Sequence, residues 1–262
     1  MTTTYTTPKT ASFAVTNVMF IRRSLRHSMR NTETLVMSVM LPVMLMLLFT
    51  YVFGGAIDPG GDYVNYVVPG IILLCAGFGS ASTAVEVSGD MTSGIIERFR
   101  TMPIASLSVI TGHIVASVLR NLLATAVVIG VALLVGFRPS AGFIEWLEAL
   151  GLITLFILTF TWLYAAIGLV AGSPSAASGY GFALLFLPYL SSAFVPTSTM
   201  PIWLRGVANH QPITPVIESI RGLLTGTPIQ DQIWWAIGWC AVLLLGSLVW
   251  STWVFRRKAG RR

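Results

Sequence analysis

The sequence predicts an all-α integral membrane protein with six transmembrane helices, and three observations carry that reading. First, 55% of the 262 residues are hydrophobic and only 10% are charged, with a mean hydropathy of +0.78. Soluble domains carry about 25% charged residues, so this chain lacks the charge to cover a surface in water. Second, its apolar residues gather into runs of about 20, the length of helix that crosses a ~30 Å hydrocarbon core. Third, much of the basic charge lies at the two ends. Lys9, Arg22, Arg23, Arg26 and Arg30 precede the first run; Arg256, Arg257, Lys258, Arg261 and Arg262 follow the last. Basic segments stay on the cytoplasmic side, and an even number of spans puts both termini there. No Ser/Gly-rich or Pro-rich linker divides the runs. Residues 1–32 therefore read as a cytoplasmic N-terminus and 33–258 as one membrane domain, expected in the plasma membrane.

Residues 12–31 place Val18, Ile21, Leu25 and Met29 at spacings of three and four, with arginines interleaved. That pattern suits a helix lying in the membrane interface, against the alternative of a loose basic tail that only sets topology. No short apolar core with a cleavage site appears there, so the first span is expected to remain as an uncleaved anchor. It covers about 34–53 and contains Pro42, expected to kink it. The turn that follows carries Asp58 and Asp62 and no basic residue, and is assigned outside.

The second span covers about 66–87. After it comes a charged interruption, residues 89–103, with Asp90, Glu97, Arg98 and Arg100. Charges at mid-bilayer cost a few kcal/mol each, so this segment is placed in water on the cytoplasmic side. The third and fourth spans cover about 106–135 and 146–171, and the fifth, about 177–195, contains Pro188. Residues 200–224 then give two short apolar faces, too short to cross. Pro201 and Pro212 suit helix starts. These helices, with Trp203, Asn209, Pro212, Glu218 and Arg221, read either as a re-entrant pair dipping into the outer leaflet or as an external loop of two amphipathic helices. The last span, about 233–254, ends at an aromatic and basic boundary.

The residues exclude several chemistries. A P-loop needs a lysine after a glycine-rich turn, and neither Lys9 nor Lys258 follows one. The chain is thus expected to be no enzyme, with no cofactor of its own. Ion-coupled transport needs ionisable groups within the spans. Those placed deep in them are Glu86, His113 and Arg120, all toward the cytoplasmic half. Arg120 snorkelling toward Glu86 would form an intramembrane ion pair, structural or interfacial before it is a relay. Gly77-Phe78-Gly79-Ser80 with His113 as a base is a weak echo of a serine nucleophile, and Ser88-Gly89-Asp90 lacks a second intramembrane aspartate. Gly168-Leu-Val-Ala-Gly172 permits close helix approach. Cys75 and Cys240 lie in apolar runs and read as buried thiols. The distribution of basic charge argues against a nucleic-acid partner and for membrane lipid.

Taken in order, these features resemble a type-2 ABC exporter permease, nearest to the daunorubicin-resistance-like drug permeases. Gly94-Ile-Ile-Glu97-Arg98-Phe-Arg100-Thr-Met-Pro103 is similar to that family's Gly-x-x-Glu-Arg-(Leu/Phe)-(Arg/Lys)-x-x-Pro pattern. Met200-Pro201-Ile-Trp203-Leu204, then Asn209-His-Gln-Pro212-Ile-Thr214 and Arg221-Gly222-Leu223, resemble a second family run. His210-Gln211 departs from it, standing where the family has Asn directly before Pro. The resemblance covers the chain from about residue 12 onward. It implies a separate P-loop ATP-binding subunit that holds ATP and Mg, a permease homodimer or heterodimer, and a coupling helix after the second span. Ile95, Ile96, Phe99 and Met102 form an apolar ridge at helical spacing, with Glu97, Arg98 and Arg100 around it. Ile96, Glu97, Arg98, Phe99, Arg100 and Pro103 are therefore expected to dock the ATPase. The implied activity is efflux of a hydrophobic or amphipathic drug, antibiotic or lipid. Polysaccharide or glycolipid export, and an ion-coupled secondary transporter, are the alternatives.

Overall fold

The computed structural model describes residues 32–58, 60–93 and 107–259. The proposed interfacial helix at 12–31 and the ATPase-docking residues at 96–103 lie outside them. Among the described residues the chain is helical, without strands: α1 (Thr32–Leu47), α2 (Gly54–Ile57), α3 (Tyr63–Thr92), α4 (Leu107–Val135), α5 (Phe143–Val170), α6 (Pro174–Leu184), α7 (Ile202–His210), α8 (Ile213–Thr225) and α9 (Gln232–Ala259). Five stretches are long and apolar enough to cross a membrane: Val36–Ile57, Tyr63–Thr92, Ile110–Val135, Phe143–Val170 and Gln232–Val254. This is a multi-pass membrane protein.

Pro42 lies inside α1, and the irregularity of the first span comes later, as a π-helical turn at Leu48–Phe53. At the centre stands α3, which packs against α1, α4, α5, α6 and α8. Small residues make this possible, because between apolar helices in lipid the close approach of backbones supplies the contact. A Cβ on Gly168 of α5 would lie 2.5 Å from the Ala84 carbonyl oxygen of α3. One on Gly70 would lie 2.7 Å from the Ala193 backbone. By contrast α1 and α9 turn most of their apolar side chains outward, among them Met40, Met44, Trp234, Leu245 and Trp253. Those faces suit lipid.

The segment predicted as a fifth span, 177–195, is not one continuous helix. Pro188 lacks an N–H, and its ring crowds the carbonyl four residues earlier, at Leu184. There α6 ends, and the chain continues as a 3₁₀ turn at Leu187–Leu190 and irregular backbone to Pro196. It still runs alongside α3 in the opposite direction. Leu185 packs at Gly77, Ala193 at Gly70, and the Phe194 carbonyl at Tyr63. From Gly77 to Tyr63 α3 rises about 21 Å, which is the length this broken segment accompanies.

Irregular backbone at membrane depth requires partners within the protein, and α3 and α8 supply them. Tyr63 Oη donates to the Phe194 carbonyl at 2.8 Å and Tyr66 Oη to the Ser192 carbonyl at 3.0 Å. Arg221 Nη2 adds a second donor to Ser192 O at 2.8 Å. Ser191 Oγ accepts from the Ala193 N–H at 3.1 Å.

The helices before α9 start where the prolines place them, with Pro201 and Pro212 as their N-caps. They differ in setting. Ile213, Val216, Ile217, Ile220, Leu223 and Leu224 of α8 are buried against α3, α5 and α9. Gly226, at φ 74°, caps it in the left-handed conformation that glycine tolerates. In α7 only Ala208 is buried, while Ile202 and Trp203 project outward.

Candidate functional site

Two helices, α3 and α4, flank the charged segment, and a polar stripe joins them. On α3, Ser82, Glu86 and Asp90 recur every four residues and so fall on one face. The helix continues through them to Thr92, whose Oγ1 donates to the Ser88 carbonyl at 3.0 Å; the Ser93 N–H closes the last turn on Gly89 O at 2.9 Å. Across from this face, His113, Ser117 and Arg120 recur at spacings of four and three on α4.

The facing groups meet in order. Arg120 Nη1 donates to Glu86 Oε1 at 2.9 Å, and Nη2 to Ser82 Oγ at 2.6 Å. His113 Nδ1 lies 3.5 Å from Glu86 Oε2, and Nε2 lies 2.9 Å from Asp90 Oδ2. Within the same seam Thr83 Oγ1 donates to Ser117 Oγ at 2.7 Å, and one step deeper Asn121 Nδ2 donates to Ser80 Oγ at 3.2 Å. Ser80 also meets Thr161 of α5 at 3.2 Å. A Cβ on Gly79 would fall 1.5 Å from Asn121 Oδ1, so glycine is what admits the amide.

Arg120 is 4% exposed. A buried guanidinium is tolerable only with a partner anion close by, and Glu86 provides it. The serine–histidine arrangement weighed in the sequence is not assembled. Ser80 is engaged by Asn121 and Thr161, and His113 by Glu86 and Asp90. Among the described residues no group of three or more His, Cys, Asp and Glu could hold a metal.

At the Tyr63 end of α3 a second polar node surrounds Arg221. Its guanidinium stacks 3.8 Å over the Tyr66 ring, donates through Nε to the Tyr66 carbonyl at 3.1 Å, and pairs with Glu218 Oε1 at 2.7 Å. Glu218 and Asn209 line an open cavity of about 600 Å³ with His210, Gln232, Trp235 and Trp239. Trp203 stands apart on the exposed side of α7.

Sequence reasoning put Asp90 in the charged interruption after the second span; in the structure α3 continues through it and its carboxylate joins the stripe. The four-residue spacing from Glu86 was the available signal. The tyrosine donors Tyr63 and Tyr66 left no such trace, because their partners are 131 and 126 residues away.

The chain is similar to known proteins. Residues 17–225 match the family described as ABC-2 type transporter. The daunorubicin resistance ABC transporter permease protein DrrB1 of Streptomyces coeruleorubidus is 31% identical over 191 residues, covering 72% of this chain and 68% of that protein. The probable doxorubicin resistance ABC transporter permease protein DrrC of Mycobacterium tuberculosis is 24% identical over 241 residues, 91% of this chain and 83% of that one. The putative transport permease ycf38 of Porphyra purpurea is 24% identical over 233 residues, 85% and 79% of the two chains.

Proposed function

The chain belongs to the ABC-2 type transporter family, and from that premise we propose that it is the permease subunit of an ATP-driven exporter carrying a hydrophobic or amphipathic substrate out of the cell. One observation carries the reading. Two membrane-length helices, α3 and α4, are tied together by charge next to the segment that separates them. Force applied to that segment from the aqueous side has a direct route into the membrane. Neither lysine of the chain sits in an ATP-binding loop, so the force comes from a separate P-loop ATPase holding ATP and Mg. Residues 90–102 would form its docking element, with Ile96, Glu97, Arg98, Phe99, Arg100 and, just beyond it, Pro103 as contacts. The basic termini set the Thr92 end of α3 on the cytoplasmic side. On that assignment Arg221 and α8 lie at outer-leaflet depth.

The substrate class follows the relatives, two of which are named for resistance to daunorubicin and doxorubicin. Those two compounds are the first to test. The experiment is transport into inside-out proteoliposomes holding this chain and its co-purified ATPase. Uptake is expected to require hydrolysable ATP and to survive a protonophore. Uptake that persists without ATP and collapses with the proton gradient would overturn the reading in favour of ion coupling. Docking has a narrower check, since Phe99→Ala and Glu97→Arg should insert normally yet lower substrate-stimulated ATPase of the complex about tenfold. Unchanged ATPase and transport in both variants would remove the docking role.

A further inference from the structure

We infer that Glu86, Asp90, His113 and Arg120 form a register clamp that makes α3 and α4 move as one rigid body when the segment between them is displaced. Arg120 and His113 are its positioning residues. The inference rests on the reading of the chain as a driven permease, and it specifies how the drive enters the membrane.

The geometry is that of two straddles sharing one residue. Arg120 reaches Glu86 with one terminal nitrogen and Ser82 with the other, 2.9 and 2.6 Å away. Those two partners are one turn of α3 apart, about 6 Å. His113 does the same one turn further on, with Glu86 at 3.5 Å and Asp90 at 2.9 Å. A lone ion pair is a pivot, about which two helices can still rotate or slide. Two side chains that each bridge successive turns, with Glu86 common to both, fix rotation and register together. Sliding by one turn toward Gly79 would carry the buried Arg120 off Glu86 and His113 off Asp90, which a low-dielectric setting resists strongly.

Placement gives the clamp its purpose. Asp90, three residues before the C-cap of α3 at Ser93, and His113, six residues after Leu107, bracket the proposed docking residues 96–103 in sequence. A push on that segment would be absorbed by α3 and α4 slipping past each other if apolar contact alone joined them. With the clamp closed, the pair turns as a lever. The Thr83–Ser117 hydrogen bond sits between the two straddles, and Asn121–Ser80 continues the same alignment deeper.

A reversible covalent substitute tests the idea. Thr83 Oγ1 and Ser117 Oγ are 2.7 Å apart, near the ~2.05 Å of two bonded sulfurs, so T83C with S117C can be oxidised across the seam. Cys75 and Cys240 are free and buried and offer no competing partner. In the reconstituted complex Arg120→Ala is expected to keep ATPase within about twofold while ATP-dependent transport falls about tenfold or more. Oxidising the cysteine pair in the Arg120→Ala chain should restore that transport, and reduction should remove it again. In the otherwise unchanged chain the cross-link should leave transport within about twofold. Two results would each overturn the clamp: full transport by Arg120→Ala, or loss of transport when α3 and α4 are cross-linked in the unchanged chain. The second decides the matter even if Arg120→Ala fails to insert. If the unchanged complex shows no ATP-dependent transport at all, the driven-permease reading falls instead.

Discussion

At the scale of single residues, two kinds of position hold this molecule together: buried polar groups with exact partners, and glycines against backbone. Arg221 exemplifies the first, serving the Ser192 and Tyr66 carbonyls while it neutralises Glu218. Replacing it with leucine keeps bulk but removes its donors to both carbonyls and the cation beside Glu218, and each hydrogen bond lost costs about 0.5–1.5 kcal/mol. Arg221→Leu is therefore expected to lower the unfolding temperature in detergent well below that of Arg221→Lys, which retains one charged donor; equal effects would show that the carbonyl contacts contribute nothing. Gly168 exemplifies the second. An alanine there must push α5 away from the Ala84 carbonyl, and overpacking of this kind costs about 1–3 kcal/mol. Gly172 on the same small-residue spacing has open space around it. Gly168→Ala should thus destabilise and Gly172→Ala should not, measured by thermal unfolding of the two variants side by side. The sequence motif treats the two glycines alike, and only packing separates them.

At the scale of elements, what the sequence discloses depends on how far away its cause lies. The five long helices are legible because length and apolar content are local properties, set by the bilayer thickness each must cross. The break after Leu184 is half legible. Pro188 announces that the helix cannot continue, but a broken segment survives only where remote donors satisfy it. Those donors are Tyr63, Tyr66 and Arg221, none of which the sequence links to Ser192 or Phe194. The candidate site divides in the same way. Glu86 and Arg120 are visible as two charges at similar depth in adjoining spans, whereas Asp90 drops out once the helix is assumed to stop at Val87. The backbone donors allow a graded test. Ser192 O has two donors and Phe194 O has Tyr63. Tyr66→Phe should therefore cost about 0.5–1.5 kcal/mol and Tyr63→Phe about 1–3 kcal/mol of stability. The reverse order in denaturation midpoints would mean that the segment is held by packing alone.

At the scale of the whole molecule, the broken segment decides how the chain sits in the membrane. Five continuous spans would leave Thr32 and Arg257 on opposite faces, in conflict with basic charge at both termini. Residues 185–194 climb beside α3 from the level of Gly77 to that of Tyr63, after α6. We propose that residues 174–196 count as a crossing, which would make six and return both termini to one side. The count then has a physical consequence for α8, whose buried apolar face fills the space beside the broken segment at the Tyr63 end. A cysteine at Ser175, beside the N-terminal end of α6, should react with a membrane-impermeant maleimide only from the cytoplasmic face. One at Thr199, just beyond the irregular backbone, should react only from outside. Labelling in intact cells and in inverted vesicles distinguishes the two. If both positions label from the same face, residues 174–196 do not cross, the termini lie on opposite sides, and the lever formed by α3 and α4 would need a drive placed by some rule other than the basic charge of the ends.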